Sequence, residues 1–162
     1  MASLVDSGVH HWSPTLDRMH DGKFAVPALP AHFVARNRVH AKAARALVTP
    51  LTTVTAPTGA GKTTLFAALA RSQAAGTVAW CTLDEHEGDA AAFGSSILRA
   101  VLLARNAGDG RRAAIERCTS PDPLDQALQL LGHGPRMLLV LDDVEALRAR
   151  DARFALQRLV HL

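Results

Sequence analysis

The sequence predicts an α/β domain with a mostly parallel sheet and helices on both faces. Three observations carry that expectation. Short β-branched or aliphatic runs at residues 51–55, 77–82 and 136–141 alternate with longer stretches of helical periodicity. The strands are joined by helix-length segments rather than two-residue turns, and such crossovers make parallel pairs. The last run is almost purely aliphatic from Met137 to Leu141, the pattern of a strand buried on both faces.

Each element has a local reason. Residues 1–22 mix Ser, Gly, Pro, Asp and His without periodicity and are expected to form a flexible tail, with the domain spanning 23–162. Residues 23–30 (KFAVPALP) should run extended, because Pro27 and Pro30 disfavour helix before them. Residues 33–48 place Val39, Ala43, Ala46 and Leu47 on one helical face. Residues 51–55 (LTTVT) favour a strand, and 57–61 a loop. A helix should run from Lys62 to about residue 73, with Leu65, Phe66 and Leu69 inward and Gly76 near its end. A second strand covers 77–82. Phe93, Ile97, Val101 and Leu102 mark the buried face of a helix over 90–104. Residues 106–119, with Gly108, Gly110, Arg111 and Arg112, read as an exposed linker. Asp122 before Pro123 is an N-cap followed by a helix-starting proline, for a helix to about residue 131. The third strand follows, and Asp151 is expected to cap a last helix from Ala152.

Composition removes several classes. A chain of 162 residues, 48% hydrophobic and 20% charged, is neither disordered nor collagenous and buries a core without staples. A net charge of +3 is too weak to argue for nucleic acid, and 4% aromatics without Tyr is a poor base-stacking surface. The N-terminus lacks a basic segment followed by an apolar one, and no run approaches the ~18–20 apolar residues of a membrane span. A cytoplasmic protein without membrane contact is the expectation. Cys81 and Cys118 have no metal-ligand spacing and read as reduced thiols, a disulfide being the lesser alternative. Five of the eight histidines lie in the first 40 residues without a helical i, i+4 pair, which suits exposed positions better than a metal site.

The chemistry concentrates in Ala56-Pro57-Thr58-Gly59-Ala60-Gly61-Lys62-Thr63-Thr64, between an expected strand and an expected helix. It matches the phosphate-loop pattern G-x-x-x-x-G-K-[ST] except for Ala56 at the first glycine. A triphosphate needs several donors converging on its oxygens, and loop and helix N-terminal N–H groups supply them. Gly59 and Gly61 keep Cβ atoms away from the phosphates. Lys62 would meet the β- and γ-phosphates, and Thr63 would offer its hydroxyl to Mg²⁺. The third strand ends in Asp142-Asp143, a Walker B arrangement at the sheet edge where α/β ligands bind. Asp142 is the candidate to hold Mg²⁺ through water, and Asp143 to polarise an attacking water. The expectation is therefore a P-loop NTPase of three-layer α/β/α build that binds ATP and Mg²⁺. Asp84, Glu85 and Glu87 could face the same site but read first as a solvated loop, as do Arg111 and Arg112.

No N-K-x-D guanine motif and no transporter signature is present, which disfavours a GTPase and a transporter ATPase. In additional-strand ATPases a later strand lies between the phosphate-loop strand and the Walker B strand. That strand would follow residue 162, so the sheet is expected to be incomplete, truncated after the Walker B strand and one helix.

The order of motifs resembles the N-terminal ATPase region of the large MalT-like, LuxR-type transcriptional regulators, which are STAND ATPases. Lys23-Phe24, Pro27, Leu29-Pro30, Val34, Arg36 and Arg38-Val39 are similar to that family's opening "K…P…LP…V-x-R-x-R-L". Residues 51–64 (LTTVTAPTGAGKTT) are similar to its "L-T-L-V-S-A-P-A-G-Y-G-K-T-T", which also has Ala at the first loop position. Residues 78–85 (VAWCTLDE) and 138–143 (LLVLDD) resemble its "V-A-W-L-S-L-D-E" and "V-L-V-L-D-D". Val144-Glu145 departs from its aromatic-His pair, and its winged-helix, repeat and helix-turn-helix regions are not in these residues. The resemblance implies a switch in which ATP stabilises one arrangement of a multidomain regulator, with ATP-dependent self-association and at most slow hydrolysis. Its partners would be the downstream domains of the same polypeptide, with DNA reached only through a helix-turn-helix outside this chain. Arg36 stands where the family has a nucleotide-proximal arginine; a surface arginine at a helix start is the plainer alternative. A turnover ATPase of another AAA-like type and a truncated remnant that binds no nucleotide remain the competing functions.

Overall fold

The computed structural model describes residues 22–105 and 121–161; the expected linker at 106–119 and all of the expected tail but Gly22 lie outside them. The described residues form α1 (Asn37–Ala43), α2 (Lys62–Arg71), β1 (Val78–Thr82), α3 (Ala90–Arg105), α4 (Pro123–His133), β2 (Leu138–Asp142) and α5 (Arg150–Val160). Single 3-10 turns lie at Gly22–Phe24, Ala44–Leu47 and Val144–Ala146.

β1 and β2 pair in parallel, in register from Val78 opposite Leu138 to Thr82 opposite Asp142. The period of two then sorts the side chains into two cores. Ala79 and Cys81, with Leu139 and Leu141, face Phe93, Ile97, Leu98 and Val101 of α3, Leu124 and Ala127 of α4, and Ala152 and Ala155 of α5. Trp80 and Val140 face the opposite way, onto Ala67 and Ala70 of α2 and onto Val26 and Leu29 of the N-terminal arm. Helix, sheet and helix thus form three layers around a small parallel sheet, an incomplete α/β fold.

The helices answer to their sequence signals. Phe93, Ile97, Leu98 and Val101 of α3 are completely buried, each contributing about 1.5–3 kcal/mol of transfer free energy. Gly94 lets α4 approach: a Cβ there would lie 2.8 Å from the Leu124 backbone nitrogen. Asp122 caps α4, its carboxylate accepting from the Asp125 N–H at 3.0 Å, with Pro123 at the first helical position. On α2, Leu69 is buried as expected, while Leu65 and Phe66 are only half-buried.

Five expectations are corrected. Residues 51–55 form no strand and are exposed, Leu51 at 53% and Val54 at 40%. β-Branched residues favour a strand only when a neighbour supplies the ladder, and neither β1 nor β2 pairs with this segment. The helix expected over 33–48 begins only at Asn37, after a turn closed by Phe33 N–H on the Pro30 carbonyl (2.9 Å), and tightens to 3-10 geometry before Pro50. β2 is covered on both faces but less deeply than its composition suggests: only Val140 and Asp142 are fully buried, because β1 is its one strand partner among the described residues. α5 starts at Arg150 with Ala149 at its N-cap, and Asp151 sits in its first turn, where a carboxylate still complements the helix dipole.

The fifth concerns the acidic loop. Glu85 is exposed, but Glu87 is 3% exposed and anchors the N-terminal arm. Its carboxylate accepts from the Asp84 N–H (2.7 Å), from the Ser96 hydroxyl (2.8 Å) and from the Lys23 ammonium. Lys23 also pairs with Asp84 at 3.2 Å, and Arg99 stacks over Phe24 at 5.1 Å. Farther along the arm, Arg71 of α2 donates to the carbonyls of Pro27 (2.9 Å) and Val26 (3.0 Å). Burial raises the cost of a bare carboxylate, and these three donors are what make Glu87 tolerable inside.

Candidate nucleotide-binding site

The loop 56–61 feeds directly into α2. The Ala60 N–H closes a turn on the Pro57 carbonyl at 3.1 Å. Gly59 (φ 80°) and Gly61 (φ 90°) take left-handed conformations that other residues adopt at a cost, and the space where a Cβ would stand is open at both. Gly61 is the N-cap of α2 and offers no side-chain cap. By helix geometry the N–H groups of Lys62, Thr63 and Thr64 have no intrahelical acceptor; Leu65 N–H reaches the Gly61 carbonyl at 2.9 Å. An uncapped N-terminus preceded by two left-handed glycines suits an anion.

Two side chains at the start of α2 point to opposite tasks. Lys62 curls back and donates to the Ala56 carbonyl at 2.9 Å. The Thr63 hydroxyl donates to Oδ2 of Asp142 at 2.7 Å. Asp142 is 9% exposed and ends β2, so the phosphate loop and the strand-end acid meet at the C-terminal edge of the sheet. Asp143 follows with φ 55°, the one non-glycine of positive φ among the described residues, a conformation Asp tolerates better than most. Its carboxyl pKa is raised, first by desolvation and then by the charges of Asp142 and Glu145, while the Lys62 ammonium pulls it back. Asp143 therefore lies within the field of the Lys62 ammonium.

The other expected residues stand less close to the centre. Pro57 and Thr58 are exposed in the loop, and Thr64 is half-buried on α2. Arg36 is exposed just before α1; its carbonyl accepts from Val39 and His40, and no hydrogen bond ties its guanidinium to the loop. Arg111 and Arg112 lie outside the described residues. Sequence reasoning passed over one contact beside the site: the Trp80 indole N–H donates to the Thr82 hydroxyl at 2.9 Å. The i, i+2 spacing on an expected strand was the available signal, since it places both side chains on one face.

The donor set fits a divalent cation of the Mg²⁺ type. Thr63 and Asp142 offer hard oxygen ligands 2.7 Å apart. The described residues contain no cluster of three or more His, Cys, Asp or Glu able to cage a metal. Mg²⁺ is commonly held by one or two protein oxygens together with phosphates, rather than by a full protein cage.

A glycine loop entering a helix N-terminus, with an acid from a parallel strand against it, defines a phosphate-loop nucleotide-binding domain. A family model described as AAA domain matches residues 48–162, and the chain belongs to that family. Its fold is an AAA-type P-loop domain. Comparisons with curated proteins and with solved structures find no match. Among the described residues no helix is long and apolar enough to cross a membrane.

Proposed function

We propose that this chain is the Mg·ATP-binding switch module of a cytoplasmic transcriptional regulator of the LuxR/MalT type, its domain spanning 23–162. The observation that carries the nucleotide site is the Thr63–Asp142 hydrogen bond, which joins the phosphate loop to the strand-end acid. Residues 56–64 would wrap the phosphates, with backbone N–H donors from the loop and helix start (Pro57 has none), and Lys62, which donates to the Ala56 carbonyl, would turn to the β- and γ-phosphates. Thr63 and Asp142 would hold Mg²⁺, Asp142 through water, and the ion would supply charge neutralisation at the phosphate oxygens. Asp143 orients the water of a slow hydrolysis that resets the switch, and Arg36 is the arginine that would stand near the nucleotide. The regulator assignment rests on the order of motifs along the chain, from the Lys23–Pro30 arm to the paired acids. In this reading ATP favours one arrangement of a longer polypeptide and its self-association. DNA is read by a helix-turn-helix outside these residues.

The test is a thermal melt with and without Mg·ATP, on the wild type and on Lys62→Ala. A shift in the wild type that Lys62→Ala abolishes supports the site; equal shifts in both overturn it. A turnover ATPase would instead show brisk hydrolysis that Asp143→Asn removes.

A further inference from the structure

The geometry points to Thr82, oriented by Trp80, as a positioning residue that orders the water between the Asp142 carboxylate and a divalent cation. This rests on the nucleotide site proposed above. Thr82 is the last residue of β1 and is in register with Asp142, the last residue of β2. In-register partners on parallel strands project to the same face. That face is the one covered by α2, since Trp80 and Val140, two residues earlier on each strand, pack on Ala67 and Ala70. Thr63 of α2 reaches Asp142 on this same side. Thr82 therefore stands beside the acid, on the side from which the phosphate-loop helix approaches.

The hydroxyl of Thr82 is held. It accepts the Trp80 indole N–H at 2.9 Å, and Trp80 is 1% exposed, locked between the sheet and α2. An oxygen lone pair committed to the indole leaves the hydroxyl proton to donate elsewhere. Among the described residues no direct hydrogen bond joins Thr82 to Asp142, and Thr82 is only half-buried, which leaves its hydroxyl open to a bridging water. A bridging water fits the chemistry of a cation that keeps part of its hydration shell and is reached by its carboxylate through water. Outer partners of this kind typically alter metal affinity by about 10–100-fold.

The experiment measures ATP affinity of the full chain by calorimetry, once with Mg²⁺ and once with EDTA. Thr82→Val keeps shape and removes the hydroxyl; Thr82→Ser keeps the hydroxyl; Trp80→Phe keeps a ring and removes the N–H. The expected result is a Mg²⁺ advantage that falls about tenfold in Thr82→Val, stays at wild type in Thr82→Ser, and falls in the same direction in Trp80→Phe. Affinity in EDTA should not change in any of them, which separates this role from a structural one. An unchanged Mg²⁺ advantage in Thr82→Val overturns the assignment. Should Thr82→Val fail to fold, an unchanged advantage in Trp80→Phe overturns it. A wild type that binds ATP neither way removes the nucleotide site itself and this role with it. A wild type that binds with Mg²⁺ while Thr82→Val does so equally removes only Thr82.

Discussion

The Thr63 hydroxyl donates to the Asp142 carboxylate at 2.7 Å, although 79 positions of sequence separate them. The bond ties the first turn of the phosphate-loop helix to the end of the acid-bearing strand. The two oxygens that the proposed cation site would use are thereby held side by side.

The first prediction concerns that site. At an ATP concentration near 100 times Kd, with Mg²⁺, the wild type should gain about 2.7 kcal/mol, a rise of roughly 5–11 °C in Tm for a domain of this size. Lys62→Ala should show no rise. Asp142→Asn should lose the part of the rise that EDTA also removes. Differential scanning fluorimetry reads all three.

The N-terminal arm should be energetically essential. Lys23 is 12% exposed and Glu87 2% exposed at the side chain, so Lys23→Met strands a buried carboxylate. The expected loss is about 3–5 kcal/mol. The double variant Lys23→Met, Glu87→Gln should recover part of it, because the amide needs no cation. Urea denaturation midpoints check both.

Asp143 supplies a pH test. Its carboxyl pKa is raised above the ordinary 3.8, so the folded state holds the proton more tightly than the unfolded chain. That stabilisation is complete below the unfolded value and disappears as pH rises through the folded one. Ionised Asp143 consequently weighs against the nucleotide-free fold at neutral pH. Asp143→Asn should raise its Tm at pH 7 and leave it unchanged near pH 3; Asn accepts the left-handed backbone as readily as Asp. Melts at the two pH values decide it.

Gly94 should not tolerate a methyl group. The 2.8 Å approach to the Leu124 backbone nitrogen is to main chain, which cannot rotate aside. Gly94→Ala must push α3 and α4 apart, at about 1–3 kcal/mol. Chemical denaturation of the variant measures the loss.

Cys81 should be inert. Burial pushes its thiol up to about 12, the Glu87 and Asp84 charges adding to this and Lys23 opposing it. In a Cys118→Ser background a thiol reagent at pH 8 should leave the native chain unlabelled and label it fully in denaturant.

The parts of this protein written in contiguous residues were legible in order. The phosphate loop from Ala56 to Thr64, the Asp122-Pro123 helix start, the Phe93–Val101 stripe and the aliphatic strand ending in Asp142 each carry their own local cause: left-handed glycines, a side-chain cap, a helical period, a β-rich run. The sequence by itself thus determined where most of the helices run, where the glycine loop enters a helix and which acid ends a strand. Tertiary structure alone decided the rest. Residues 51–55 have strand composition yet remain unpaired, because a strand exists only through a neighbour's hydrogen bonds. Glu87 looked like one of three solvated acids until Lys23, from 64 positions away, entered the interior with it. The register that sets Thr82 beside Asp142, and the packing of α2 that brings Thr63 to the same acid, are long-range relations. Local propensity acts over a few residues, whereas pairing and charge burial are settled only when distant segments share one dry space.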